Sequence, residues 1–126
     1  MVLVELIKTS NGGTKFDKEK LRYDLIPPST LNALATILTF GATKYGDRNW
    51  EQGIAWSRLF GALMRHLWAW WAREGLDQET GKSHLWHAQC CLSFLIEYEL
   101  AHPELDDRPS CPVAQNYHDD EKPQQS

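Results

Sequence analysis

The spacing of apolar positions changes character three times along the chain. Residues 2–8 are β-prone, and Asn11-Gly12-Gly13 supplies turn residues, so a short hairpin with 14–17 is predicted. From Pro27 onward the spacing turns helical. Pro28 and Ser29 are good helix starters, and Leu31, Leu34, Ala35, Leu38 and Ala42 follow on one face, which predicts a helix over 29–44 that stops at Gly46. A second helix is predicted over 57–74, opened by Ser57 and closed by Gly75, with Leu59, Ala62, Leu63, His66, Trp70 and Arg73 on one side. A third is predicted over 83–100 and ended by Pro103. It is apolar around most of its circumference, which predicts burial against several neighbours, and its His84 and His87 share a side with Ala88, Cys91 and Leu95.

These elements predict an all-α antiparallel helical bundle with a short N-terminal β-hairpin. They divide the chain into an N-terminal segment 1–14, a helical domain 15–102 and a polar tail 103–126, whose last residues, 119–126, have a disordered composition. A chain of 126 residues is one domain, short for an enzyme with a deep internal cleft, so a homo-oligomer (dimer or tetramer) is expected. The six tryptophans strengthen that expectation, because Trp68, Trp70 and Trp71 cannot all face one way on a helix and suit a core or a subunit interface.

Composition narrows the function classes. At 42% hydrophobic and 24% charged residues the chain reads as globular rather than disordered. A formal net charge of -4 gives it no overall reason to coat nucleic acid, while local lysines and arginines still allow small anionic ligands. No apolar run is long enough to span a bilayer, and residues 2–7 (VLVELI) lack the basic start and length of a signal peptide. A cytoplasmic protein, without a membrane partner, is therefore expected. Three cysteines cannot all pair, and neighbouring Cys90 and Cys91 would strain a mutual disulfide, so reduced thiols are expected.

The chain has no glycine-rich phosphate loop, no Cys-x-x-Cys pair and no basic tract. Instead, three of its five histidines lie between His66 and His87, together with Glu74, Asp77 and Glu79. A connection of about eight residues makes the second and third helices antiparallel neighbours. His84 and His87, spaced i, i+3, then share one face opposite His66, and Glu74 and Asp77 come from the helix end and loop between them. His66, Glu74, Asp77, His84 and His87 are the candidate metal ligands. A mixed nitrogen and oxygen shell suits Mn²⁺, Fe²⁺ or Co²⁺, with Mg²⁺ favoured as carboxylates dominate. Alternatively these are core histidines bonded to backbone or carboxylate groups. Glu79 is expected to be exposed, and His102 and His118 lie outside the constellation.

Upstream, Lys15, Lys20 and Arg22 precede the first helix, and Lys44, Tyr45, Arg48, Asn49 and Trp50 follow it. Triphosphates need cations and neutral donors, and a nucleobase needs a flat apolar surface, both of which this segment offers. The plainer reading is that Tyr45 and Trp50 pack beneath the loop and the lysines are solvated.

The strings KFDKEKLRYDLIPP, GATKYGDRNW, RHLWAWW, GLDQETGKSHLWHAQCC and FLIEYE, in that order over residues 15–100, resemble the phage dATP/dGTP diphosphohydrolases, relatives of the MazG-like all-α nucleoside triphosphate pyrophosphohydrolases. The resemblance implies metal-dependent hydrolysis of dGTP or dATP to the monophosphate and pyrophosphate, in host cytoplasm where the chain is phage-encoded. Some phages use this reaction to feed the synthesis of 2-aminoadenine nucleotides. It implies a divalent cofactor, Mg²⁺ or Mn²⁺, near Glu74, Asp77, His84 and His87 as the catalytic group. It also implies phosphate neutralisation by Lys20, Arg22 and Lys44, and sugar or base contact by Tyr45, Asn49 and Trp50. The MazG-like pattern places metal on E-x-x-E and E-x-x-D. The second helix here has no E-x-x-E; Glu74-Gly75-Leu76-Asp77 spells E-x-x-D at a helix end, and His84 and His87 have the matching spacing. A histidine-aspartate phosphohydrolase is a rival reading, although the one His-Asp dipeptide, His118-Asp119, lies in the tail. A non-catalytic helical module binding nucleotides or protein through its tryptophans is another.

Overall fold

The computed structural model describes residues 6–8, 13–16 and 18–110. The predicted disorder of 119–126 and the roles of Cys111 and His118 lie outside the described residues. The chain forms two compact units, 1–31 and 32–126. In the first, strands β1 (Leu6–Lys8) and β2 (Thr14–Phe16) pair antiparallel with Leu6 opposite Phe16 and Lys8 opposite Thr14. The predicted hairpin is present over these described residues. A 3-10 turn at Tyr23–Leu25 follows.

Three α-helices make up most of the other described residues, as the all-α prediction requires. Helix α1 (Pro28–Tyr45) begins on a proline whose missing N–H costs nothing in a first turn. The hydroxyls of Thr36, Thr39 and Thr43 donate to carbonyls four residues back, which keeps these polar groups satisfied within the helix. Gly46, at φ 93°, stops it. A 3-10 turn, Asn49–Gln52, leads to helix α2 (Trp56–Trp71), which packs antiparallel along helix α3 (His84–Ala101).

Both ends of α2 differ from the sequence expectation. Ser57 is not the N-cap; Ala55 is, and Asp107 does the capping from the far end of the chain, accepting from the Ser57 amide at 2.8 Å and its hydroxyl at 2.5 Å. Nor does Gly75 close the helix. Arg73 takes the left-handed conformation at φ 59°, its N–H donating to the Trp70 carbonyl and the Glu74 N–H to that of Ala69. That is a Schellman motif with an arginine where glycine is usual. Helix α3 starts where predicted, and Ser83 caps it by accepting from the Leu85 amide at 3.1 Å.

The core sits where the start of α2 meets the end of α3. Trp56, Leu59 and fully buried Tyr98 form its centre, with Trp50, Ile54, Phe94, Leu95 and Leu105 around them. The Tyr98 hydroxyl donates to the Trp50 carbonyl, so the aromatic body is buried without orphaning its polar end. Residues 103–110 fold back onto α2: the Trp56 indole donates to the His102 carbonyl at 3.2 Å, and the Arg108 guanidinium lies 5.0 Å above the Trp56 ring. Helix α3 is buried or half-buried around most of its circumference, as expected, apart from a strip of exposed Leu85, Leu92 and Ile96 and the exposed Leu100 at its end.

Candidate metal centre

The opposite end of the α2–α3 hairpin gathers the histidines. His66, one turn and a half before the end of α2, faces His84 and His87 on the first turn of α3, the pair that i, i+3 spacing places together. The His66 and His84 rings meet nitrogen to nitrogen, Nδ1 to Nδ1 at 3.0 Å, and the His66 ring stacks on His87 with centroids 4.7 Å apart. Burial holds the His66 pKa below its ordinary range, and the charges that His87 and His84 can carry push it further the same way. His66 therefore favours the neutral imidazole, the form that ligates metal.

The carboxylates come from the connection between the helices. Because the Schellman turn redirects the chain at Arg73, Glu74 leaves α2 with its Oε2 3.3 Å from His84 Nε2. Its side chain is 67% exposed. Asp77 is held firmly: its Oδ1 accepts from the amides of Glu79 and Thr80, each at 3.0 Å, and from the Thr80 hydroxyl at 3.2 Å. Burial pushes the Asp77 pKa up, but the Thr80 amide, the His87 charge, the Thr80 hydroxyl and the Glu79 amide together hold it below the usual range. Asp77 Oδ1 also lies 3.5 Å from His87 Nε2.

Donor atoms of His66, Asp77 and His84, one from each, all lie within 4.8 Å of one another. Adjacent ligands on an octahedral shell of about 2.1 Å radius are about 3.0 Å apart, so the His66–His84 contact fits either a shared proton or two positions on one divalent ion. His84 Nε2, the ring nitrogen turned away from that contact, is buried without a hydrogen bond and lies 3.3 Å from Glu74 Oε2, so it is a donor position separate from Nδ1. The residues present thus fit a divalent metal with a nitrogen-rich, mixed shell.

Among the other sequence candidates, Lys44 reaches this end of the hairpin. Its Nζ pairs with Glu79 Oε1 at 2.5 Å and lies 5.1 Å from the centre of the Tyr45 ring. Glu79 is exposed, as expected. Asn49 and Trp50 are at the other end, where Trp50 stacks on Phe94 with centroids 6.1 Å apart. Phe94 is ten residues along α3 from His84, which separates them by about 15 Å. Lys20 and Arg22 belong to the first unit, where Arg22 pairs with Asp24 at 2.7 Å. His102 is outside the cluster, paired with Glu104 at 2.7 Å.

A family model described as dATP/dGTP diphosphohydrolase, N-terminal, matches residues 10–108. The chain belongs to this family. It is 38% identical over 96 residues to a dATP/dGTP diphosphohydrolase of Salmonella phage PMBT28, an alignment that takes in 76% of this chain and 33% of the relative. The chain thus spans about a third of that diphosphohydrolase's length. No solved structure matches it.

Within this member of the diphosphohydrolase family, sequence reasoning missed two residues beside the cluster. Thr80 bridges the loop to α3, its hydroxyl 2.7 Å from His87 Nε2 while also bonded to Asp77. The signal was available: an aspartate followed at i+2 and i+3 by residues that turn the chain, then Gly81 at φ 68°, is an Asx-type turn that locks the carboxylate. Arg65, beside His66, carries a charge close enough to lower that histidine's pKa.

Proposed function

We propose that this chain hydrolyses purine deoxynucleoside triphosphates, dGTP and dATP, to the monophosphate and pyrophosphate, using a divalent ion held by His66, Asp77 and His84. The observation that carries this reading is the convergence of donor atoms of those three residues within 4.8 Å of one another, in a chain that belongs to the diphosphohydrolase family. When bound, Mg²⁺ or Mn²⁺ would offset phosphate charge and make a water more acidic.

The chain's own groups take complementary roles. Asp77, kept ionised and immobile by two amides and a hydroxyl, supplies fixed negative charge to the ion. His87 is oriented by Thr80 and buttresses Asp77. Glu74 is exposed and 3.3 Å from His84, placing a carboxylate at the open edge where an attacking water enters; it serves as general base. Arg65 and Lys44 are the nearby cations for the triphosphate, Lys44 exchanging Glu79 for a phosphate oxygen.

Incubation with dGTP or dATP and Mg²⁺ or Mn²⁺, followed by separation of products, tests the proposal. Pyrophosphate and monophosphate in equal amounts support it. Orthophosphate released from monophosphates would instead indicate a histidine-aspartate type phosphohydrolase, and no turnover a binding module.

A further inference from the structure

Residues 103–108 form a strap across the core end of the α2–α3 hairpin, and each of its fastenings has a named partner. The 3-10 turn Pro103–Leu105 sets Leu105 against Gly53, so closely that a Cβ on Gly53 would come within 2.6 Å of Leu105 Cδ1. At the root of the strap the His102 carbonyl accepts from the Trp56 indole at 3.2 Å. Further along, Asp107 caps α2 through Ser57, and Arg108 covers the Trp56 ring while pairing with Asp106 at 2.7 Å. The His102 ring is a further tie, and unlike the others it needs a proton. Its Nδ1 faces a Glu104 carboxylate oxygen at 2.7 Å and its Nε2 faces the Glu51 carbonyl oxygen at 3.2 Å. Both partners are acceptors. A neutral imidazole carries one N–H, so it satisfies one of them and sets a lone pair against the other, whereas the imidazolium donates to both.

We propose that His102 is a proton-operated clasp: charged, it fastens the strap to the Asn49–Gln52 turn, and on losing its proton it lets the strap lift from the start of α2. The surroundings suit the charged form. Glu104 lies beside the ring in the strap, Glu97 contributes negative charge from α3, and the Tyr98 ring stands nearly perpendicular with centroids 5.1 Å apart. The Glu51 carboxylate is turned to Arg48, 3.9 Å away, so the Asn49–Gln52 turn meets the ring through a carbonyl. The His102 side chain is 24% exposed, which lets its proton exchange with water while the core stays folded. What opens is local. The Ser57 amide loses its Asp107 cap and Trp56 loses the cover of Arg108. The histidine cluster, eighteen residues away at the start of α3 and so about 27 Å along it, is left as it is.

Amide hydrogen exchange of the whole chain, followed by nuclear magnetic resonance from about pH 6 to about pH 9, tests this at the Ser57 amide. Exchange is expressed as a protection factor, which removes its intrinsic dependence on pH, and the ring nitrogen shifts of His102 are read in the same samples. Both ring nitrogens should be protonated at neutral pH. Ser57 protection should then fall roughly ten-fold as the ring titrates, the factor that one charge-assisted hydrogen bond represents, while amides in the middle of α3 keep theirs. In His102→Gln the Ser57 protection should be flat across the range. A His102 ring carrying a single proton at neutral pH overturns the proposal. So does Ser57 protection that stays constant while the ring titrates, or that falls in His102→Gln as in the wild type. Should His102→Gln fail to fold, Glu104→Gln keeps the ring and removes the charge beside it: the fall in Ser57 protection should move to lower pH, and an unmoved fall counts against the clasp.

Discussion

Single residues decide how the candidate centre is held. Thr80 touches neither of the nitrogens that meet at 3.0 Å, yet its hydroxyl fixes both Asp77 and His87. Groups that orient ligands in this way typically account for ~10–100-fold in metal affinity. Thr80→Val should therefore weaken Mn²⁺ binding by about that factor in a titration, and Thr80→Ser, which keeps the hydroxyl, should restore it. His102 has a different role, at the core end of the hairpin. Its bond to Glu104 raises its pKa above the ordinary 6.5, with further help from the Glu51 carbonyl. Protonation is thus coupled to folding: the stabilisation is complete below the unfolded value near 6.5 and is lost as pH rises through the higher folded pKa. Thermal midpoints measured from mildly acidic to alkaline pH should fall across that window, and the fall should be absent in His102→Gln.

At the scale of elements, the sequence made the helices legible because their apolar spacing and their start signals are local. Pro28 and Ser83 open α1 and α3 as read, and the Asn11-Gly12-Gly13 signal correctly announced a hairpin. The histidine constellation was legible for the same reason: i, i+3 spacing plus a short connection is enough to bring His66, His84 and His87 together. What escaped was decided across the chain. Asp107, fifty residues from Ser57, caps α2, and no local pattern announces it. The end of α2 escaped because a left-handed arginine breaks the usual preference for glycine, with Gly75 two residues further on offering the familiar signal. Since left-handed backbone costs a residue with a Cβ about 1–2 kcal/mol, Arg73→Gly should stabilise the protein by ~1 kcal/mol in denaturant unfolding. An equal or lower midpoint would show that the arginine side chain contributes more than its backbone costs.

For the molecule as a whole, the α2–α3 hairpin has two unlike sides. One gathers His66, His84 and His87 with Glu74 and Asp77, and the other presents exposed apolar side chains. Among the described residues no helix is long and apolar enough to cross a membrane. The net charge of -4 does not oppose a nucleotide site, because the field that matters there is local and Arg65 and Lys44 lie at that end. Everything in the functional reading depends on the histidine cluster being a metal centre. Titration of the chain with Mn²⁺, followed by the loss of the free-ion paramagnetic resonance signal, tests that most directly when run beside His84→Ala and Asp77→Asn. The account predicts saturable binding by the wild type that weakens at least ~10-fold in each variant. Equal binding by all three proteins would contradict it.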